Sequence, residues 1–384
     1  MSRSMSVNIR GIGTAVPEFE IDQADAAQQA SQLCCATVAQ QRLLKTLYRR
    51  AGVVKRHSVV LASSTNGLSA EQSFYSPSEI AADGPTTARR MEHYDRHAAP
   101  LAVEACRRAI EDAQIDLAQI ENLVTVSCSG FFAPGVDLAI LRELQLKPST
   151  TRSHIGFMGC HGAFNGLRVA KSFAAASPGS CVLLCAVELC TLHHQYGWEP
   201  DQLVANSLFG DGAAAVVLQA DTNNSQERHL ATVPADQKNT DWCLTEQRST
   251  VIPDTAELMS WRIDDHGFQM SLSPQLPGVI DRTLRPWLES WLGELSLSID
   301  EIASWAIHPG GPRIIEACAQ AIGPHHASLA ESLTDSLAVL AEYGNMSSPT
   351  VLFILERLRR RAAPRPCVAL AFGPGIAIEA ALFR

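Results

Sequence analysis

The sequence is short of charge, and the charge that it has is unbalanced towards acid. Only 18% of its 384 residues are Asp, Glu, Lys or Arg, and the formal net charge is −9. A nucleic-acid-binding domain needs a basic surface, so this balance argues against that class. A local cluster of Arg and Lys could still bind an anionic ligand.

Long apolar runs are also missing. No run reaches the roughly 18 residues that cross a bilayer, and Met1–Arg10 contains no apolar core of signal-peptide length. The eleven cysteines are an odd number. They lie in apolar strings such as Ser180–Cys185, which favours buried thiols over a disulfide framework. Together these absences predict a cytoplasmic protein without a membrane span.

Short apolar runs instead alternate with amphipathic stretches, and 46% of the residues are apolar. Short runs favour buried strands, whereas a 3.6-residue apolar period favours helices. The predicted strands are Ile120–Ser127, Cys181–Val187, Ala213–Leu218, Ser304–Ile307 and Cys367–Phe372, and the predicted helices are Pro100–Ala113, Phe164–Ala176, Ile280–Leu292 and Pro349–Arg361. This alternation predicts an α/β fold in which helices cover parallel strands.

The two halves of the chain resemble each other. Gly159-Cys160 and Gly344-Asn345 each precede a predicted helix and then a strand; Asn345 follows Cys160 by 185 residues, and Cys367 follows Cys181 by 186. Such spacing predicts a duplicated α/β unit, although unrelated α/β repeats can also look alike. The expected halves are 1–225 and 226–384, with the polar stretch 221–254 as an irregular linker.

Cys160 has the local context of a nucleophile. It lies in Gly156-Phe-Met-Gly-Cys160-His-Gly-Ala163, where a predicted strand gives way to a helix. The glycines permit close backbone approach. A thiol at a helix N-terminus feels the positive end of the helix dipole, which favours the thiolate. The alternative is a buried core cysteine, as expected for the other ten.

Two further polar residues stand in loops at the ends of predicted elements. His308 follows the strand Ser304–Ile307 and enters a Gly/Pro-rich loop, and Asn345 lies just before the helix Pro349–Arg361. Such loops are where α/β proteins place their sites. His308 could instead be a core histidine, and Asn345 a helix cap. An amide donor beside a histidine is, however, suited to stabilising an oxyanion.

Five motifs, in order, resemble those of the type III polyketide synthases, the chalcone-synthase-like enzymes. They are Gly159-Cys160, Phe209-Gly-Asp-Gly-Ala213, His308-Pro-Gly-Gly-Pro312, Gly344-Asn345-Met-Ser-Ser348 and Phe372-Gly-Pro-Gly375. The resemblance extends from the Gly11-Ile-Gly-Thr-Ala-Val-Pro17 opening to the C-terminus. It implies a thiolase fold, five-layered αβαβα from two duplicated halves, a homodimer, and a triad of Cys160, His308 and Asn345 that uses no metal or organic cofactor.

The resemblance also implies the reaction. Cys160 would take an acyl group from acyl-CoA as a thioester, with His308 stabilising its thiolate. Malonyl-CoA would lose CO2, and the enolate would be held by His308 and Asn345 before it attacks the thioester. Repetition and cyclisation would give a resorcinol, a pyrone or a related product. The implied partners are therefore acyl-CoA and malonyl-CoA.

Position in the family implies a substrate cavity and a CoA site. Phe209 matches an aromatic gatekeeper, and Met270 stands where a second gatekeeper is Phe. The other expected cavity residues are Cys128, Ser129, Ala133, Cys190, His193, Trp261, Ser347, Phe372, Gly373 and Pro374. The expected CoA-binding residues are Arg49, Arg50, Lys55, Arg56, Gly310, Gly311 and Arg313. A solvated charged face would explain the basic ones equally well.

A zinc site is the rival interpretation of one cluster, Cys181, Cys185, Cys190, His193 and His194. Structural zinc sites favour tighter paired spacing. Only Cys181 and Cys185 share a face of the predicted strand. Cavity lining is therefore preferred, and no metal is expected.

Three other functions are compatible with parts of this pattern. A β-ketoacyl carrier-protein synthase of the initiating kind would share the fold and triad but perform one condensation. A degradative thiolase would need a second cysteine in the C-terminal glycine loop, whereas Cys367 lies inside a predicted strand. A non-catalytic CoA- or lipid-binding homologue would not need all three triad residues. The loops after His308 and Phe372 favour the polyketide enzyme.

The starter is the least determined feature. Glu188-Leu-Cys190-Thr-Leu-His193 resembles bacterial enzymes that make alkylresorcinols or alkylpyrones from fatty acyl-CoA. Ala133 is smaller than its counterpart in chalcone synthases, which favours a long acyl chain. Trp261 stands where chalcone synthases have glycine, which favours a short or aromatic starter.

Overall fold

The computed structural model describes residues 7–65, 70–220, 242–323 and 329–384. The strands are β1 Val7–Ala15, β2 Glu20–Asp22, β3 Lys55–His57, β4 Ile120–Ser127, β5 Thr151–Gly156, β6 Cys181–Leu189, β7 Asp211–Ala220, β8 Trp242–Val251, β9 Met259–Asp264, β10 Gly267–Leu272, β11 Ser304–Ile307, β12 Cys367–Gly373 and β13 Ala377–Phe383. The helices are α1 Gln23–Cys34, α2 Val38–Arg50, α3 Thr87–Ala113, α4 Val136–Glu143, α5 Gly162–Ala176, α6 Pro200–Leu208, α7 Leu276–Glu294, α8 Pro312–Ile322, α9 Leu329–Tyr343 and α10 Thr350–Arg360.

One mixed sheet of nine strands runs through the molecule in the order β11-β12-β13-β8-β1-β7-β6-β4-β5. In the first half β4 and β6 are parallel, and β6, β7 and β1 follow in antiparallel pairs. In the second half β11 and β12 are parallel, and β12, β13 and β8 follow in antiparallel pairs. The same pairing pattern on both sides of the β1–β8 contact confirms the predicted duplication.

The central strands are buried on both faces, which explains their continuous apolar runs. In β6, Cys181, Leu183 and Cys185 face a cluster that contains residues of α1, α3 and α4. The alternate residues Val182 and Leu184 face a second cluster, which joins α5 and α10 to both halves of the sheet. A third cluster packs α7 and α8 against the outer face of β12 and β13. The layers are, in order, the helices α1, α3 and α4, the first half of the sheet, the helices α5 and α10, the second half of the sheet, and the helices α7 and α8. These are the five layers that were expected, with α5 and α10 in the middle.

Glycine sets the spacing between two of these layers. A Cβ atom on Gly166 of α5 would lie 2.6 Å from Cδ1 of Leu184 and 2.9 Å from Cγ2 of Val126. Such contacts are too short for any side chain, so α5 can pack this closely on β4 and β6 only with glycine there. The helix that follows Cys160 is thereby held against the sheet.

Most of the predicted elements are confirmed, and two are corrected. The predicted linker 221–254 is wrong over its second part, because Trp242–Val251 forms β8 inside the sheet. Residues 221–241, and with them the expected boundary between 225 and 226, lie outside the described residues. The predicted helix Pro100–Ala113 is the second part of α3, which begins at Thr87 with the Thr86 side chain as its N-cap and contains Pro100 in its interior. Within the described ranges no helix is long and apolar enough to cross a bilayer.

Candidate active site

The residues Cys160, His308 and Asn345 converge on one cavity. Cys160 lies in the turn that leads into α5, His308 directly follows β11, and Asn345 lies between α9 and α10. All three line a cavity of about 460 Å³. In the duplicated halves, corresponding strands end next to the same central layer. The residues that follow these strands therefore lie close together.

The turn at Cys160 depends on the glycine before it. Gly159 has a φ of +72°, a left-handed conformation that favours glycine. A Cβ atom there would lie 2.5 Å from Cδ of Pro374. The loop after β12 therefore packs directly on the turn that carries Cys160, which explains why a Gly/Pro-rich loop and a glycine-flanked cysteine occur together in the sequence.

Burial controls the ionisation of the Cys160 thiol. It raises the pKa of Cys160 to about 11, although hydrogen bonds from the Ser347 and Asn345 side chains lower it. The sequence predicted a thiolate favoured by the helix dipole. Burial therefore opposes the thiolate that the helix dipole was predicted to favour.

His308 is a buried imidazole with no protein hydrogen bond at its ring. Neither Nδ1 nor Nε2 has a partner among the described residues. Burial, followed by the neighbouring His161, lowers the pKa of His308 to about 3. The backbone fixes its position, because its N–H donates to the Leu370 carbonyl at 2.8 Å. Both ring nitrogens are therefore left to interact with a substrate in the cavity that Cys160 also lines.

Asn345 is oriented by its own loop. Its Oδ1 accepts a hydrogen bond from the backbone N–H of Ser347 at 2.8 Å, so the amide nitrogen is the end left to donate. Its backbone N–H donates to Leu208, and its carbonyl accepts from Gly210 at 3.0 Å. These two bonds clamp Asn345 against Phe209, the expected gatekeeper.

The sequence analysis missed Glu188, which braces this site. Its carboxylate is fully buried and accepts from the backbone N–H of Cys128 and from the N–H and Oγ of Ser129. It also accepts from the Ser348 Oγ at 2.6 Å, which ties β6 to the Asn345 loop. Burial raises the pKa of Glu188. The signal in the sequence was a lone acidic residue inside the apolar strand Cys181–Leu189.

Most of the expected cavity residues lie around Cys160. A second cavity of about 350 Å³ is lined by Cys160 together with Cys128, Ser129, Cys190, Trp261, Ser347 and Pro374. Phe372 lines the cavity of His308. His193 lines a third cavity of about 760 Å³ on the far side of Trp261. Phe209 and Met270 border all three cavities, as gatekeepers would.

Two expected cavity residues lie elsewhere. Ala133 is exposed and lines none of these cavities. It precedes Pro134 in a surface loop beside Phe131, whose side chain is 54% exposed. The expectation that Ala133 forms a cavity wall of this chain is therefore wrong. Gly373 is the last residue of β12 and packs on His161, where a Cβ atom would lie 2.1 Å from the imidazole ring.

The predicted CoA-binding residues divide into a surface group and a buried residue. Arg49, Arg50 and Arg313 are exposed. Gly52 packs on Pro312, where a Cβ atom would lie 2.9 Å from Cγ, so the end of α2 and the start of α8 are neighbours. Gly310 lines the His308 cavity, and Gly311 precedes α8 with a φ of +154°.

Arg56 is the buried residue of this set, and the charge of Lys55 is partly neutralised by an ion pair. The Arg56 side chain donates to the carbonyls of Asn206 and Phe209, both at 2.9 Å, and only 4% of the residue is exposed. A role in holding a CoA phosphate is therefore wrong for Arg56, because its donors support the gatekeeper loop. Lys55 forms an ion pair of 2.8 Å with Glu20.

The residues of the rival zinc site do not form one. Cys185 points its thiol at the Ala102 carbonyl, and His193 uses Nε2 to bond the Ser129 carbonyl at 2.6 Å. No group of three His, Cys, Asp or Glu side chains in the described part of the chain has a metal-binding arrangement. All eleven cysteines are free thiols.

Known proteins resemble this chain in sequence and in fold over nearly its whole length. The family models of the chalcone and stilbene synthases match residues 3–222 with the N-terminal domain and 244–384 with the C-terminal domain. The alpha-pyrone synthesis polyketide synthase-like protein Pks18 of Mycobacterium tuberculosis is 32% identical over 98% of this chain and 90% of that protein. The 1,3,6,8-tetrahydroxynaphthalene synthase of Streptomyces peucetius subsp. caesius is 30% identical over 98% of this chain and 93% of that protein. The crystal structure of PKS-I from the brown alga Ectocarpus siliculosus superposes with a TM-score of 0.86 at 28% identity, covering 100% of this chain and 99% of that one.

Proposed function

The chain belongs to the chalcone and stilbene synthase family and is a type III polyketide synthase, and from that premise we propose that Cys160, His308 and Asn345 are its catalytic residues. The observation that carries this assignment is the single cavity that all three line. The hydrogen bond from Asn345 to the Cys160 thiol supports it further.

In the loading step, Cys160 attacks the thioester carbonyl of the starter acyl-CoA. Its proton moves to His308, which is neutral and unpartnered before the reaction. The bond between the acyl carbon and the CoA sulfur breaks, and His308 returns the proton to the departing CoA thiolate. His308 acts here as a general base that takes the proton as the bond from sulfur to the acyl carbon forms, so no preformed ion pair is required.

In the condensation step, malonyl-CoA loses CO2 and leaves an enolate. Asn345 donates from its amide nitrogen to the enolate oxygen, and the N–H of the neutral His308 ring supplies the second donor. The enolate carbon then attacks the acyl thioester, a C–C bond forms, and the bond between the acyl carbon and the Cys160 sulfur breaks. Cys160 leaves as a thiolate, which takes a proton from water or attacks the next thioester. The buried, water-poor setting makes each donor effective, and the loss of one such donor costs about 3–4 kcal/mol of barrier.

The cavity beyond Trp261 supports a fatty acyl starter. It is lined mainly by apolar atoms. Ala26, Ala30, Leu33, Leu61 and Phe268 contribute apolar side chains to its wall. It adjoins the catalytic cavities through Phe209 and Met270. A chain that passes Trp261 would bury its methylenes there.

The CoA moiety is assigned to the mouth formed by the ends of α2 and α8. Arg49, Arg50 and Arg313 supply positive charge for its phosphates, and Gly310 allows the pantetheine arm to pass close to the backbone. The planar guanidinium group can donate two parallel hydrogen bonds to one phosphate.

The exposed edge of the sheet supports a homodimer. β5 is an edge strand, and its residues are exposed or half-buried. Phe131, Phe157 and Met158 form an exposed apolar patch next to it, in which the Phe131 and Phe157 rings are in edge-to-face contact at 6.3 Å. An open apolar edge of this kind is normally covered by another chain. A cytoplasmic location, which the free thiols favour, is part of the same proposal.

The assignment of the nucleophile is tested with Cys160→Ala. Intact-protein mass spectrometry after incubation with an acyl-CoA should detect an acyl adduct on the wild type and none on this variant, and product formation should be lost. Cys318→Ala, which removes a buried thiol from α8, is the matched control and should load normally. An adduct that persists on Cys160→Ala would disprove the assignment.

A further inference from the structure

The outer surface of α2 combines Lys and Arg side chains that have no ion-pair partner among the described residues with exposed aliphatic side chains. At helical spacing, Val38, Arg42, Lys45 and Arg49 form one stripe, and Ala39, Leu43, Thr46 and Arg50 form the stripe beside it. Val38 is 64% exposed and Leu43 is 62% exposed, although both are large aliphatic residues. The helix contains no Asp or Glu.

The cations of this surface are not neutralised by the protein. Among the residues that the structure describes, no carboxylate lies within ion-pairing distance of Arg42, Lys45, Arg49 or Arg50. The chain as a whole carries a net charge of −9. Arg42 and Lys45 therefore extend the positive charge of the helix beyond Arg49 and Arg50, which were assigned to CoA, and a negatively charged partner would complement them.

The helix is rigidly held from its other side. Leu44 and Tyr48 are buried beneath it. A capping box fixes its start, in which the Thr37 side chain accepts from the Gln40 N–H and Gln40 bonds back to the Thr37 N–H. The exposed stripes thus belong to a preformed surface that can lie flat on a partner without folding first.

We propose that α2 docks the enzyme on the surface of a bilayer that contains anionic phospholipid. Arg42 and Lys45 contact phosphate headgroups, and Val38 and Leu43 insert between them. Basic residues that flank exposed aliphatic ones are shared with interfacial helices; Leu44 and Tyr48 pack on the protein here, so Val38 and Leu43 are the residues left to insert. Each basic residue at an anionic surface strengthens binding by a similar increment. This proposal goes beyond the chemistry proposed above. Binding of the enzyme to vesicles is measured without any enzymatic turnover.

The consequence for function lies in where α2 ends. Its last residues, Arg49 and Arg50, adjoin the mouth assigned above to CoA. Long-chain acyl-CoA esters partition into bilayers, because each methylene adds to the free energy of leaving water. Docking through α2 would place the mouth at the membrane surface, where such starters concentrate.

The experiment is co-sedimentation of the full chain with phosphatidylcholine vesicles, with and without phosphatidylglycerol. The wild type should bind the anionic vesicles at least about tenfold more tightly than the neutral ones, and binding should weaken as salt is added. The double variants Val38→Ser/Leu43→Ser and Arg42→Gln/Lys45→Gln should each lose about tenfold of the binding to anionic vesicles. Their melting temperatures and their turnover of a short, water-soluble starter should equal those of the wild type.

Val251→Ser is the matched control, since Val251 is 62% exposed but lies on β8. It should bind vesicles as the wild type does. Equal binding to neutral and anionic vesicles, or no binding to either, would overturn the proposal. So would wild-type binding by the Val38→Ser/Leu43→Ser variant, or binding to an acidic acyl carrier protein without binding to vesicles. Failure of the catalytic assignment would show separately, as an acyl adduct that persists on Cys160→Ala.

Discussion

At the scale of single residues, burial disfavours the charged forms of two of the proposed catalytic side chains. Burial raises the pKa of Cys160 to about 11 and lowers the pKa of His308 to about 3. Both shifts have the same origin, because a buried group resists whichever form carries charge. In water the thiol, which has the higher pKa, also keeps its proton beside a neutral imidazole, and burial widens this difference. The mechanism proposed above therefore needs the proton to move as Cys160 attacks the substrate.

Alkylation of Cys160 reports this neutral state. Since the pKa of Cys160 lies well above neutrality and that of His308 well below it, the thiolate fraction at pH 7–9 should rise about tenfold per pH unit. The rate of alkylation by iodoacetamide, followed by mass spectrometry of the Cys160 peptide, should rise in parallel. Ser347→Ala removes a hydrogen bond that lowers this pKa, so it should slow alkylation across that range. A rate independent of pH between 7 and 9 would instead indicate a preformed ion pair.

Asn345 separates decarboxylation from loading. Asn345→Ala removes a donor to the enolate and should reduce CO2 release from malonyl-CoA by about 10²–10³-fold. Acyl transfer to Cys160 should persist at a lower rate, because the variant also loses a hydrogen bond to the thiol. Radiolabelled CO2 release and the acyl adduct are measured on the same preparation. An equal loss of both would mean that Asn345 acts as a structural cap.

At the scale of elements, the β9–β10 hairpin divides the interior. Trp261 of β9 pairs with Met270 of β10, and both residues border the catalytic cavity and the larger one beyond. The Trp261 indole donates to the Cys128 carbonyl at 2.8 Å and packs edge-on against His193. If the acyl chain is carried on Cys160 as proposed, this hairpin is expected to set how far the chain can extend.

Trp261→Ala should join the cavities of about 350 and 760 Å³. Because a buried methylene contributes about 0.8 kcal/mol, the ratio of kcat/KM for lauroyl-CoA to that for hexanoyl-CoA should rise by about tenfold or more. Trp261→Phe, which keeps most of the bulk but loses the indole hydrogen bond, is the control and should change the ratio little. If the alanine variant leaves the ratio unchanged, the acyl chain does not pass this residue.

At the scale of the whole molecule, the exposed edge of the sheet is the main unsatisfied surface of the first half. β5 and the neighbouring patch of Phe131, Phe157 and Met158 belong to the same surface as the loop of Ala133. This loop is next in sequence to Cys128 and Ser129, which line the catalytic cavity. Assembly and catalysis are therefore expected to be coupled.

Phe131→Asp should break the proposed homodimer. A buried charge without a partner is costly at an apolar interface, so multi-angle light scattering should give the mass of a dimer for the wild type and of a monomer for the variant. Turnover should fall with the dimer. Leu337→Asp changes an exposed aliphatic residue on α9, far along the chain from β5, and should remain dimeric. A monomeric wild type would contradict the prediction.

The sequence by itself determined the class of fold, its duplication and the positions of the reactive residues. Apolar runs and glycine-flanked turns are local features, so strands such as Cys181–Val187 and the turn at Cys160 were predicted at nearly their observed bounds. The motif order identified the family. The polar sequence of β8 was predicted to be a linker. Its residues pair with β13 and β1, which come from distant parts of the chain, and no local sequence pattern indicates such a pairing.

Only the tertiary structure decided the ionisation, the burial and the partners of these residues. Arg56 has the same charge as Arg49 and Arg50 in the sequence, yet it is buried against the carbonyls of the gatekeeper loop. Cys160 lies at a helix N-terminus as predicted, yet its surroundings raise its pKa. Glu188 joins β6 to the Asn345 loop across 160 residues of chain. The physical reason is common to all three: desolvation and hydrogen bonding depend on neighbours in space, which the order of residues along the chain does not specify.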